Sequence, residues 1–153
     1  MGNYTATVSW KRGESEAFSD NKYSRGHQWS FDGGATIRAS SSPHVVPRFS
    51  DPAGVDPEEA FIASLSSCHM MTFLYLAAKQ GHVIDSYVDQ AEGAMAKNAK
   101  GHFYMSAVTL KPRIAWGSPA PDRAALDDLH HRAHEECFIA NSVLTEVRCE
   151  PVA

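Results

Sequence analysis

The stretch VDPEEAFIASLSSCHMMTFLYLAAKQG, residues 55–81, constrains the fold more than any other part of the chain. Asp56 suits a helix N-cap, Pro57 the first helical position, and Glu59 the third, where the acid of a capping box belongs. Gly81 suits the position just past the helix, and Lys79 complements the dipole of the last turn. A helix from about Pro57 to Gln80 is therefore predicted. Phe61, Leu65, Cys68, Thr72, Leu76 and Lys79 follow helical steps of three and four, while Ile62, Met70, Met71, Phe73, Leu74 and Tyr75 fill most other directions. A helix apolar all round is a central one. Ser64, Ser66, Ser67, Cys68, His69 and Thr72 interrupt its apolar run, which makes it too polar for a bilayer span.

Strands are predicted on both sides of this helix. From Tyr4 to Trp10 the order YTATVSW alternates in the period of a half-buried strand. A second strand lies within residues 22–31, and the DGG at 32–34 is a hairpin turn into ATIRAS. Three prolines, a glycine and four serines in residues 40–55 end the sheet and begin an irregular loop. Beyond the helix, HVIDSYVDQAEGAMAK and HFYMSAVTLKPRIAW, joined by NAKG, read as a long hairpin. A second helix starts near Pro121 and Asp122, with Ala125, Leu129 and Ala133 on one face, and SVLTEVRCEP returns as a last strand. The order gives an α+β fold, with antiparallel sheet from N- and C-terminal strands packed around the central helix. At 153 residues one domain spanning 1–153 is expected.

With 43% hydrophobic and 21% charged residues the composition is that of a soluble globular protein. The net charge of −4, with Lys and Arg scattered, leaves no electrostatic footprint for nucleic acid. The N-terminus lacks the basic and apolar regions of a signal peptide, so a cytoplasmic location and no membrane partner are expected.

Three cysteines, Cys68, Cys137 and Cys149, are an odd set for a disulfide framework in a reducing compartment. By its residues alone Cys68 is as well read as packing as chemistry, because free cysteine is among the most buried residue types. Ser66, Ser67 and His69 are poorly placed in a purely apolar core, and polar neighbours favour a thiolate. Cys137, flanked by Glu135 and Glu136, is disfavoured as a primary nucleophile and suits either a resolving thiol or a half-buried helix end. Cys149 reads as structural. Among the eight histidines, His130, His131 and His134 share helical spacings, but they sit among Asp127, Asp128, Arg132, Glu135 and Glu136. That segment reads as a solvated face, and no metal is expected.

VDPEEAFIASLSSCHM, residues 55–70, resembles the signature of the OsmC/Ohr family, the osmotically induced and organic hydroperoxide resistance proteins. The Asp-Pro-Glu helix start, the ten residues from Glu58 to Cys68 and a second cysteine near the end of the next helix carry the resemblance. His69 after the cysteine is similar to the OsmC-like branch, and Phe138 stands where the family often has Pro. The resemblance implies an oxidoreductase of the oxidative stress response: a thiol peroxidase of organic hydroperoxides without metal, haem or other cofactor. Cys68 would be the peroxidatic thiol and Cys137 the resolving one, closing an intramolecular disulfide. An external dithiol, such as a lipoylated protein, would be the reductant. The alternative is an OsmC-like protein without peroxidase activity that binds an apolar ligand, its thiols incidental.

The family supports its thiolate with an Arg and a Glu. Glu58 matches the acid, and Arg25 in YSRGH is the best match for the arginine, with Arg38 and Arg48 as runners-up. A carboxylate would fix the guanidinium fork by a bidentate pair. Ten helical residues separate Glu58 from Cys68 by about 15 Å along the axis. Either the helix is broken near its start, or Glu58 and Arg25 of one subunit serve Cys68 of another, as the family's intertwined homodimer implies. Met71, His69 and Phe49 are the expected substrate-binding residues, with the loop of His44, Arg48 and Phe49 bordering the site.

Overall fold

A computed structural model describes residues 2–153 of the chain. The described residues fall into two compact units, the first ending at residue 60 and the second spanning 61–153. In the first, β1 (Ala6–Ser9), β2 (His27–Phe31) and β3 (Thr36–Ala39) form an antiparallel sheet in that order. The β2–β3 turn is the expected one: Gly34 takes a φ of 86°, and its N–H donates to the Phe31 carbonyl at 3.0 Å. The face predicted as half-buried is open in the single chain, where Tyr4, Val8 and Trp10 are 95%, 64% and 41% exposed. Alternation marks a face built for burial; Trp10 packs on Phe18 and Tyr23, while Tyr4 and Val8 stay exposed.

The serine- and proline-rich loop is held by its own side chains. The Asp51 N–H donates to Ser40 Oγ at 2.8 Å, and the Ser50 hydroxyl reaches the Val46 carbonyl at 2.7 Å. Val55 then bonds back to β3 through Arg38 and Ser40. Gly54 permits this close return, since a Cβ there would lie 2.9 Å from the Ala39 carbonyl carbon. The helix α1 (Pro57–Lys79) starts in the predicted capping box: the Glu59 N–H donates to Asp56 Oδ1 at 2.8 Å, and the Asp56 N–H to Glu59 Oε2 at 3.0 Å.

At the other end of α1 the Gly81 N–H donates to the Ala78 carbonyl and the His82 N–H to that of Ala77, with Gly81 at φ 81°. The long hairpin follows as β4 (Ile84–Asp89), β5 (Glu92–Lys97), β6 (Phe103–Leu110) and β7 (Pro112–Trp116). It is split midway, so that β4 pairs with β7 and β5 with β6 in separate antiparallel ladders. The second helix, α2 (Arg123–Glu136), is capped by Asp122, whose carboxylate accepts from the Ala125 N–H at 2.8 Å. After a short 3₁₀ turn at Ala140–Ser142, β8 (Glu146–Cys149) joins β6 in parallel. This last pairing departs from the antiparallel expectation; the crossover through α2 makes it possible.

Leu65, Phe73, Leu76 and Ala77 of α1 are buried, in two clusters. Phe73, Leu76 and Ala77 pack with Leu129 and Ala133 of α2, and Leu65 with Val108 and Leu110 of β6. Each large side chain so placed contributes roughly 1.5–3 kcal/mol. By length and mean hydropathy alone α1 could cross a membrane, but its buried residues build these two cores, in keeping with the central helix read from the sequence. The fold is α+β, with antiparallel sheets and a long central helix.

Candidate functional site

Cys68 is buried in α1, and Met71, Thr72 and Tyr75 follow it at helical steps of three, four and seven, on the same face. With Glu135, Glu136, Phe138 and Asn141 they line an open depression of about 640 Å³. Met71, Tyr75 and Phe138 are 59%, 57% and 83% exposed, so the depression offers apolar surface beside a thiol.

Cys137 caps the C-terminus of α2 and is 1% exposed. Its sulfur accepts from the Ala140 N–H at 3.4 Å. Burial, and then the neighbouring Cys68 thiol, push its pKa up to about 11. At neutral pH it is a protonated thiol held against Cys68, and all three cysteines are free.

The polar neighbours expected to favour a Cys68 thiolate are engaged elsewhere. Ser66 donates to Asp89 of β4, Ser67 is exposed, and the Thr72 hydroxyl donates to the Cys68 carbonyl rather than its sulfur. His69 is turned away from the depression, because adjacent helical residues point about 100° apart. It is 2% exposed and faces His130 of α2, with Nε2 3.1 Å from His130 Nδ1. The reading of residues 130–134 as a solvated face therefore fails at His130, which is 5% exposed, whereas the His131 side chain is exposed and pairs with Glu135. Burial lowers the pKa of both His69 and His130 to about 4. Cys149 of β8 joins them, its thiol pushed up to about 12 by burial.

Within residues 1–60, Arg25 lines a second depression with Trp10, Phe18, Tyr23 and His27. Its guanidinium lies 3.6 Å from the Tyr23 ring centroid and 6.0 Å from that of Phe49. It donates to the Tyr23 carbonyl and to Asn21 Oδ1, the latter at 3.0 Å. Among the described residues no ion pair joins Arg25 to Glu58, so the bidentate fork expected from the sequence is replaced by these contacts. Glu58 keeps a buried carboxylate oxygen, Oε2, without a partner. Of the runners-up, Arg38 pairs with Asp51. His44 and Arg48 are exposed in the loop, and Phe49 is half-buried there.

Thus Cys68 has Cys137 on one side and Met71 in the depression on the other, and Arg25 and Phe49 neighbour each other. Tyr75 was legible as a lining residue from its spacing to Cys68. The gathering of His69, His130 and Cys149 was not, because it joins three distant segments.

Residues 50–151 match the family model of the OsmC-like protein. An OsmC-like protein of unknown function from Vibrio cholerae is 54% identical, with 99% of this chain and 100% of that one covered and a TM-score of 0.96. The organic hydroperoxide resistance protein OsmC of Legionella pneumophila is 16% identical, with both chains fully covered and a TM-score of 0.70. The organic hydroperoxide resistance protein OhrB of Bacillus subtilis is 21% identical, over 97% of this chain and 98% of that one, with a TM-score of 0.68. No functionally curated protein matches the chain.

Proposed function

Because the chain belongs to the OsmC-like family, we propose that it is a thiol peroxidase that reduces organic hydroperoxides to alcohols. The observation that carries the reading is the meeting of the Cys68 and Cys137 thiols beside an apolar depression. The Cys68 thiolate attacks one peroxide oxygen, the O–O bond breaks, and the alkoxide leaves as alcohol after taking up a proton. Cys68 is left as a sulfenic acid. The Cys137 thiol then displaces its oxygen as water and forms the Cys68–Cys137 disulfide. An external dithiol, of the kind a lipoylated protein carries, takes up the oxidising equivalents and restores both thiols.

The raised pKa of Cys137 supports the division of labour, since a thiol protonated at neutral pH does not compete for peroxide. Met71, Tyr75 and Phe138 would receive the organic part of the substrate. Arg25 and Glu58 are assigned, on the family resemblance, to the support of the thiolate across a homodimer. The buried, unpartnered Oε2 of Glu58 favours that assignment, because a guanidinium would satisfy it. The exposure of Tyr4, Met71, Tyr75, Phe103, Phe138 and Leu144 favours a partner subunit.

The test is oxidation of the reduced protein with one equivalent of cumene hydroperoxide, followed by thiol counting and peptide mapping. Loss of two thiols and a Cys68–Cys137 disulfide are expected. If both thiols survive, the depression is a binding site for an apolar ligand and the cysteines are incidental.

A further inference from the structure

Three ligand-type atoms converge in the 61–153 unit at a place the peroxidase reading does not use. His69 Nε2 of α1, His130 Nδ1 of α2 and Cys149 Sγ of β8 all lie within 4.8 Å of one another. The two nitrogens are 3.1 Å apart, and the sulfur is 3.4 Å from His130 and 3.8 Å from His69.

A tetrahedral zinc ion, with bonds of about 2.0–2.1 Å to nitrogen and about 2.3 Å to sulfur, spaces its ligands by roughly 3.3 Å (N to N) and 3.6 Å (N to S). The three observed separations therefore lie close to the edges of such a tetrahedron. Packing alone accounts poorly for the cluster. A leucine would fill the same space without polar cost, whereas His130 Nε2 is buried with no partner beside the Phe73 ring, 4.3 Å away between centroids. Without an ion the ring planes are nearly parallel, 8° apart, and one proton between the nitrogens holds them.

We propose that His69, His130 and Cys149 bind a zinc ion through Nε2, Nδ1 and Sγ, with the fourth position open to the adjoining cavity. That cavity, about 300 Å³, is also lined by Asp127, His131 and His134. Water fills the fourth position, or one of these side chains swings in. On binding, the proton between the imidazoles moves to an outer ring nitrogen, and the Cys149 thiol gives its proton to solvent. The ligands come from two helices and a strand rather than from loops, so the site is positioned before the ion arrives. Two imidazoles and one thiolate form a mixed set suited to zinc, with cobalt as its spectroscopic stand-in.

The test uses the full-length, reduced, chelator-treated protein titrated with Co²⁺ and then Zn²⁺. One equivalent of Co²⁺ should give a near-ultraviolet thiolate-to-cobalt band, bleached by one equivalent of Zn²⁺. The band should persist in Cys68→Ser/Cys137→Ser and vanish in Cys149→Ser and in His69→Gln. Should those last two variants misfold, alkylation mapping of the wild type decides: one equivalent of Zn²⁺ must protect Cys149 at alkaline pH. Absence of the band from the wild type, its loss with Cys68 and Cys137, or an unprotected Cys149 overturns the proposal. Each of these readouts is independent of peroxidase activity, so the failure of one reading leaves the other standing.

Discussion

The Cys68 thiol lies near enough to that of Cys137 to raise its pKa, although the two are carried by different helices. Cys68 sits in the middle of α1 and Cys137 at the last turn of α2, where helix gives way to loop. That difference bears on their chemistry: the thiol at a helix end needs less backbone movement to form and release a disulfide.

Replacing Cys137 by Ser therefore separates the two half-reactions. The first oxidation of Cys68 should proceed, and its sulfenic acid should persist long enough to be trapped by dimedone and seen by mass spectrometry. Steady-state turnover with a dithiol should fall. Cys68→Ser should lower peroxide consumption by on the order of 10³-fold or more, as expected for loss of a nucleophile. Equal, unimpaired turnover in both variants would sink the assigned roles.

Alkaline pH should destabilise the fold through the same residue. The Cys137 pKa is raised from its ordinary 9.0 to about 11, so the folded state holds this proton more tightly than the unfolded chain does. The corresponding stability is complete below about pH 9 and is lost as pH rises toward 11. Thermal melts across that window should show a Tm that falls more steeply in the wild type than in Cys137→Ala. Parallel slopes would mean that the thiol is not confined as described.

The helix start provides a test of local structure. Asp56 and Glu59 satisfy each other's backbone N–H groups at the first turn of α1. Asp56→Ala should cost about 1 kcal/mol, read as a lower urea midpoint, and Asp56→Asn should recover most of it. An unchanged midpoint in Asp56→Ala would show that the cap contributes nothing.

These local features were legible because their partners lie within a few residues. The capping box, the Gly81 stop and the Gly34 turn are spelled out by adjacent letters, and the structure has them where the letters put them. The lining of the Cys68 depression was partly legible, since Met71 and Tyr75 follow from helical spacing. What escaped the sequence is long-range. The parallel pairing of β8 with β6 brings Cys149 opposite Leu110, and only then does it meet His69 and His130. His130 looked solvated because its neighbours are charged, yet it lies three residues before the buried Ala133 and four after Leu126, on the face that turns inward. The alternation in residues 4–10 announced a buried face without saying what buries it: Phe18 and Tyr23 pack on Trp10, while Tyr4 and Val8 remain exposed.

Substrate preference should follow the exposed side chains beside Cys68. Met71 and Tyr75 are more than half exposed in the single chain, so truncating them leaves the core of the protomer intact. They do, however, supply the apolar wall against which an organic peroxide would rest. Losing one such contact weakens discrimination by about 1–3 kcal/mol, equivalent to 10-fold or more in kcat/KM. Tyr75→Ala and Met71→Ala should accordingly lose at least about tenfold toward cumene hydroperoxide while hydrogen peroxide, which has no organic group to place, is consumed at the original rate. A uniform loss toward both peroxides would point to a disturbed Cys68 rather than to a substrate wall, and no loss toward either would move the organic group to another surface.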